Sequence, residues 1–269
     1  GLTTPAMGSF ATWGGGVCIS SPENVKHVLK DSFEKYEKTH MLNSTLNELL
    51  GSGIFTSDGD IWKFHRKVAV GMFSKKLLDY GTDVALKEAK KLMKKLDTAC
   101  DTGEIIDLQK CFYAFTMDVF AQIAFGVEFN SQDNDHPFTI AFDTCQRICQ
   151  NRFAKPFWKF DQLFQISSDE QAVSAAKKVV VEFAEKVIKG KRREVKKQKD
   201  GDSGGDGRKL GKDLISRMLD GAIARKQNIT NKELIDVVLN FIIAGRDTTA
   251  AALSWTMFEL IGKQDGIIN

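Results

Sequence analysis

Residues 230–262 spell a helix too long to lie only on a surface. Thr230 followed three residues later by Glu233 is a capping box, in which each side chain satisfies the other's exposed backbone N–H. Apolar or small residues then recur at helical spacing, at Leu234, Val238, Phe241, Gly245, Thr248, Ala252 and Trp255, and Gly262 stands where the helix would end. A helix of this length is expected to run through the core. Its centre, Ala244-Gly245-Arg246-Asp247-Thr248-Thr249, is not one that propensity selects. The glycine costs roughly 1 kcal/mol against alanine, and it sits beside a carboxylate and two β-branched hydroxyls. Ala244, Gly245 and Thr248 share a face, which leaves two outcomes open. A flat partner can approach the backbone there, with Thr248 bonding to the carbonyl one turn back and loosening the ladder for a small molecule or water. Alternatively, another helix crosses closely over the small residues.

The rest of the chain repeats the helical period. A serine cap with proline in the first helical position, Ser21-Pro22, starts a helix through Val25, Val28 and Leu29, after a short strand at Val17-Cys18-Ile19. Ala85, Ala89, Leu92 and Leu96 form a stripe opposed by lysines, the pattern of a surface helix. Phe112, Phe115, Val119 and Ile123 form another, with Gly126 placed as a left-handed cap. Pro137 opens a helix carrying Phe138, Phe142, Cys145 and Cys149, and Ser168 with Gln171 looks like a capping box ahead of Val173, Ala176, Val180, Phe183 and Val187. Gly103 to Leu108 is expected to pair as a lone short strand. The fold class is therefore mainly α, carried by a single domain over 1–269. An exposed, flexible connection is expected over 199–211, where Lys/Arg gives way to Asp and Gly. The basic run from Lys191 to Lys199 is read as a solvated helix end.

A formal charge of +3 over 269 residues gives no case for nucleic acid. Five cysteines, with no C-x-x-C pair, read as reduced, mostly buried thiols and supply no metal ligand. No run of eighteen apolar residues is present.

A second constellation gives the long helix a partner. In Asp58-Gly59-Asp60-Ile61-Trp62-Lys63-Phe64-His65-Arg66-Lys67 a helix begins after acidic cap candidates. Trp62 and Arg66 stand four apart on one face, where an indole N–H and a guanidinium can both donate to one carboxylate. Together, in this order and separation, the two segments resemble the cytochrome P-450 family, in which the tryptophan and arginine hold a haem propionate. The family's long central helix carries a small-Gly-x-acid-Thr-Thr motif, which Ala244 to Thr249 matches at every position. Asp58 to Lys67, with Asn240 to Thr249 and Leu253-Ser254-Trp255, is similar to the eukaryotic fatty-acid omega-hydroxylase branch.

The resemblance implies an incomplete cytochrome P-450 fold, haem b as cofactor, and a haem-dependent monooxygenase. Such an enzyme inserts one atom of O2 into an apolar substrate, here a long-chain fatty acid, using electrons from NADPH through a reductase. Trp62 and Arg66 would bind propionate, Ala244 and Gly245 would leave space above the iron, Thr248 would hydrogen-bond dioxygen there, and Asp247 would help relay protons. Ile54, Phe55 and Phe241 are expected to contact substrate, with core packing as their competing role, and Lys63, Lys67, Lys75 and Lys76 to help dock the reductase. Family chains continue to a glycine-flanked cysteine that ligates iron, so the chain is expected to be a truncated and inactive piece. It is expected to aggregate or stay partly molten alone. The complete protein would sit on the cytosolic face of the endoplasmic reticulum through an anchor upstream. The rival expectations are a non-catalytic helical interaction protein that needs no haem, or a degenerate gene product.

Overall fold

The computed structural model describes residues 4–5, 17–38, 40–72, 74–155, 157–201, 213–224 and 228–262. Strands β1 (Thr4–Pro5) and β2 (Val17–Cys18) pair antiparallel, and among the described residues every other regular element is helical. Helix α1 (Pro22–Lys26) starts as its sequence requires, with Ser21 Oγ accepting from the Asn24 N–H at 3.3 Å, and passes into a π-helical turn at His27–Asp31. After α2 (His40–Leu50) and α3 (Gly59–Met72) come the longer helices α4 (Lys75–Thr102), α5 (Leu108–Phe125), α6 (Pro137–Asn151) and α8 (Ser168–Gly201), with short α7 (Trp158–Phe164) between the last two. Helices α9 (Leu214–Ala224) and α10 (Asn231–Gly262) complete the described chain. Among the described residues no helix is long and apolar enough to cross a membrane.

The predicted strand over Gly103 to Leu108 is corrected to a tight helix–helix link. Gly103 ends α4 in the left-handed conformation at φ 70°, and Asp107 caps α5 by accepting from the Lys110 N–H at 2.9 Å. Both ends of the segment are thereby committed to helices, and Ile105 points into solvent at 99 % exposure. The cap of α8 also moves: Ser167, not Ser168, accepts from the Glu170 N–H, and Gln171 donates its side-chain amide to the Gln165 carbonyl. Helix α8 continues through Gly201, into the expected connection, and 202–211 lie outside the described residues. Its basic stretch is not wholly solvated either. Lys191 pairs with Asp213 at 2.9 Å, and Arg192 binds Asn231 Oδ1 at 2.9 Å and the Ile229 carbonyl, which ties α8 to the starts of α9 and α10.

The core follows from the apolar stripes. Helix α5 is buried along most of its length, with Met117, Ala121, Ala124 and Phe125 wholly excluded from solvent, and its main partners are α10 on one side and α4 on another. Helix α6 packs on α8, bringing Phe138 and Phe142 to the core with Cys145 and Cys149. Burial pushes those two thiols up to about 12 and about 11, so they serve as small apolar fillers. One charged cluster crosses this region unannounced by any sequence pattern. Arg152, 2 % exposed, donates to both oxygens of Glu170 at 3.0 and 2.5 Å and to Glu48 at 2.6 Å, with its guanidinium 4.5 Å from the Trp158 ring centre. It ties α2, α7 and α8 to the end of α6, and breaking a pair this buried is costly because a charge would be left without a partner.

Candidate functional site

Helix α3 presents Trp62 and Arg66 toward α10. The anticipated acidic cap is used differently. Asp58 Oδ1 accepts from the Lys38 N–H at 3.1 Å and lies 3.6 Å from its ammonium, while Lys38 Nζ donates to the Ser57 carbonyl at 2.6 Å. This brings the Lys38 ammonium to 5.7 Å from the Trp62 ring centre, and the Trp62 ring also packs on Phe33 at 5.2 Å. Between α3, α10 and the segment joining α2 to α3 lies a cavity of about 590 Å³.

Trp62, Arg66, Ile54, Phe55, Phe241, Ala244 and Gly245 all line this cavity, joined by Lys38, His65, Ala69, Phe120, Val237 and Asn240. Two segments nearly two hundred residues apart in sequence thus face one space. Asp247 and Thr248 do not line it. Thr248 is exposed, and its hydroxyl donates to the Ala244 carbonyl at 2.7 Å, the back-bond its position in the helix foreshadows. Asp247 turns toward α6, where it accepts from Gln146 and lies 3.3 Å from Arg246. Burial pushes its carboxyl above the ordinary carboxylate range, against the pull of Arg246 and the Gln146 amide. Arg246 is itself buried at 3 %, reaching Asp143 at 2.6 Å and lying over the Tyr113 ring at 5.0 Å, with its Nε buried and unpaired among the described residues.

The small-residue centre of α10 resolves into two faces. Gly245 is occupied by protein: a Cβ there would lie 2.0 Å from Phe120 Cε1, so α5 and α10 approach through this glycine. Gly245 still lines the cavity beside Ala244, but the position its Cβ would take is filled by the Phe120 ring. Ala244, one residue earlier and so about a hundred degrees round the helix, is exposed and lines the cavity. Phe120 and Phe241, 6.1 Å apart edge to face, also border a second apolar space of about 360 Å³ among α4, α5 and α10, which Thr249 lines.

Sequence reasoning missed His65, Asp236 and Asn240. His65 is 5 % exposed, and burial lowers its pKa against Asp236 and a hydrogen bond to the Ser52 main chain. Asp236 and Asn240 are polar residues inside an apolar helix, which was the available signal, since such groups stay buried only with partners. Cys100, Cys111, Cys145 and Cys149 all lie away from the cavity, and no cluster among the described residues could hold a metal ion.

Comparison with known proteins bears on this architecture. The Cytochrome P450 family profile matches residues 5–266. Cytochrome P450 monooxygenase cyp1 of Mycosarcoma maydis is 32% identical over 98% of this chain and 40% of its own length. Cytochrome P450 704B1 of Arabidopsis thaliana is 35% identical over 92% and 48%, and Cytochrome P450 94A1 of Vicia sativa 31% identical over 92% and 47%. The chain therefore spans about half the length, or less, of these curated relatives. Among solved structures, the cytochrome P450DA heme domain superposes with a TM-score of 0.68 at 22% identity, over 87% of this chain and 48% of that one. CYP102L1 does so with 0.68 at 20% identity, over 85% and 49%. The helical order, the shared cavity of α3 and α10 and the profile match across nearly the whole chain lead to one assignment: this chain belongs to the cytochrome P450 family.

Proposed function

We propose that the complete protein is a haem-thiolate monooxygenase that inserts one atom of O2 into an apolar substrate of the long-chain fatty-acid class, drawing electrons from NADPH through a reductase. The observation that carries this reading is that the indole and guanidinium of α3 and the Ala244 face of α10 line the same cavity. The residues present fit a haem: hydrogen-bond donors and apolar residues line one cavity, and the exposed Arg66 guanidinium makes no ion pair or hydrogen bond among the described residues. Haem, when bound, would supply dioxygen activation.

The chain's own residues then have separable roles. Trp62 and Arg66 would donate N–H groups to a propionate. Ala244 keeps one face of α10 free of bulk, while Ile54, Phe55 and Phe241 would exclude water and bear on the substrate. The Thr248 hydroxyl donates to the Ala244 carbonyl and so keeps lone pairs free to accept a hydrogen bond. Asp247, with its raised carboxyl pKa, is suited to take up and release a proton, and its contacts run through Gln146 and Arg246 to the half-exposed Asp143 rather than through the cavity. Lys63, Lys67, Lys75 and Lys76 are all exposed and would offer positive charge to a reductase. We place the complete protein on the cytosolic face of the endoplasmic reticulum, held by an anchor outside this chain.

The test is the absorbance of the complete protein, reduced and exposed to carbon monoxide. A displaced Soret band is expected, with haem retention falling in Trp62→Phe and further in Arg66→Leu. A complete protein with no such band, or variants that retain haem as well as wild type, would sink the proposal.

A further inference from the structure

Asp236 and Asn240 interrupt the most apolar stretch of α10, yet they are only 6 % and 3 % exposed. They stand one turn apart, with Ala244 one turn further, so all three share a face. The segment between α2 and α3 docks on that face through its backbone. The Ser52 N–H donates to Asp236 Oδ2 at 3.1 Å and the Phe55 N–H to Asn240 Oδ1 at 3.2 Å, while Asn240 Nδ2 donates to the Leu50 carbonyl at 2.8 Å and to the Asp236 carbonyl at 2.7 Å. The segment's own side-chain bonds, from Thr56 to the Gly51 carbonyl and from Ser57 to the Gly53 carbonyl, satisfy acceptors and leave those two N–H donors to α10. The approach needs glycine twice. A Cβ at Gly51, where φ is +57°, would lie 1.9 Å from Asp236 Oδ1, and one at Gly53 would lie 2.0 Å from Asn240 Nδ2. Ile54 and Phe55, held beside these anchors, wall the same cavity that Ala244 lines.

We propose that Asp236 and Asn240 are positioning residues that determine specificity: by docking the backbone of 50–55 onto α10 they fix the gap between the Ile54–Phe55 wall and the Ala244 face, and so the girth of apolar ligand admitted. The dock stands on its own geometry, and only the identity of the ligand space rests on the oxygenase reading. Asn240→Leu removes the acceptor for Phe55 and the donor for Leu50 while keeping the bulk apolar. Gly53→Ala breaks the same contact from the other side without altering α10.

Both variants are to be made in the complete haem-loaded protein and probed with 1-alkylimidazoles from methyl to dodecyl. These report binding through haem absorbance whatever the natural substrate. Hydrogen–deuterium exchange at Ser52 and Phe55 reads the dock itself and is expected to accelerate about tenfold or more in either variant. The ratio of Kd between short-chain and long-chain probes should change by about tenfold, with the carbon monoxide band per chain unchanged. In Gly53→Ala/Asn240→Ala the side chain that the new Cβ would meet is gone, so its exchange should match Asn240→Ala alone rather than add to it. Unchanged exchange would overturn the dock, as would strict additivity in the double variant. Faster exchange with an unaltered probe ratio would overturn the claim on specificity. A wild-type protein lacking the carbon monoxide band would instead sink the oxygenase reading, and with it the ligand part of this inference, while the exchange measurement would still score the dock.

Discussion

In the opening turns of α10, Leu234, Val238 and Ile242 are wholly buried, whereas in its closing turns Trp255, Phe258 and Ile261 are 66, 66 and 56 % exposed. Both stretches are rich in large apolar residues, so composition does not separate them. Their surroundings do. The first half is enclosed by α2, α5, α8, α9 and the docked segment 50–55. The second half rests one side on a small cluster around Leu92, Cys111 and Phe112, through Ala250, Leu253 and Met257, and leaves its other side open. The difference teaches that an apolar helix face is enclosed only where neighbouring elements reach it. Ala244 and Gly245 lie at the changeover, where both line the cavity and the Phe120 ring fills the position a Cβ of Gly245 would take.

The comparison can be broken most directly by truncating one residue on each side of the changeover. Leu234→Ala should lose about thirtyfold or more of amide-exchange protection in the opening turns, the penalty of a buried cavity, whereas Phe258→Ala should lose less than about twofold in the closing ones. Equal losses would mean that the closing turns are as enclosed as the opening ones. At the changeover itself, Gly245→Ala pushes a methyl into the Phe120 ring and should cost about 1–3 kcal/mol. Phe120→Leu in the same chain should recover part of that, and a loss that Phe120→Leu leaves untouched would place the strain in the helix rather than between α5 and α10.

A smaller effect separates the halves by pH. The folded pKa of His65, beside Asp236 in the first half, is lowered by burial, so the unfolded chain takes up a proton that the folded one refuses. Its contribution to stability is present above the ordinary histidine value of 6.5 and is lost as pH falls from there through the lowered folded value. Amide exchange over 50–55 and the opening turns of α10, corrected for the intrinsic pH dependence of exchange, should therefore accelerate more between about pH 7.5 and about pH 5.5 than exchange in the closing turns. His65→Gln should flatten that difference, and a pH response of equal size in both halves would contradict it. The smallest effect on stability is expected from Trp255→Lys with Phe258→Glu, whose influence should appear as self-association. The unmodified chain is expected to scatter light and melt broadly and the double variant to scatter less. A sharp, cooperative melt of unmodified, monomeric chain would show that the open face needs no cover.

What was legible locally came through. Thr230 and Glu233 form the capping box their spacing announces, with the Thr230 N–H and hydroxyl both 2.8 Å from Glu233 Oε2 and the Glu233 N–H 3.2 Å from the Thr230 hydroxyl. Gly126 ends α5 in the left-handed conformation its position suggests. The failures were also local in kind. A β-rich hexapeptide at 103–108 resembles a strand until a cap claims each end, and two adjacent serines compete for one cap at 167 and 168. For the site, Trp62, Arg66 and Ala244 could be picked out as pieces because residue type and helical spacing limit what each can do.

By itself, then, the sequence determined the helices, their apolar faces, and the indole, guanidinium and small-residue face as separate pieces. Only the tertiary structure decided that these share one cavity, that Gly245 admits Phe120, that Asp247 faces α6, and that Asp236 and Asn240 hold the cavity wall. The physical reason is range. Caps and periodicity are satisfied within a turn or two of chain, whereas a buried carboxylate or amide has no fixed partner until a distant backbone N–H arrives to meet it.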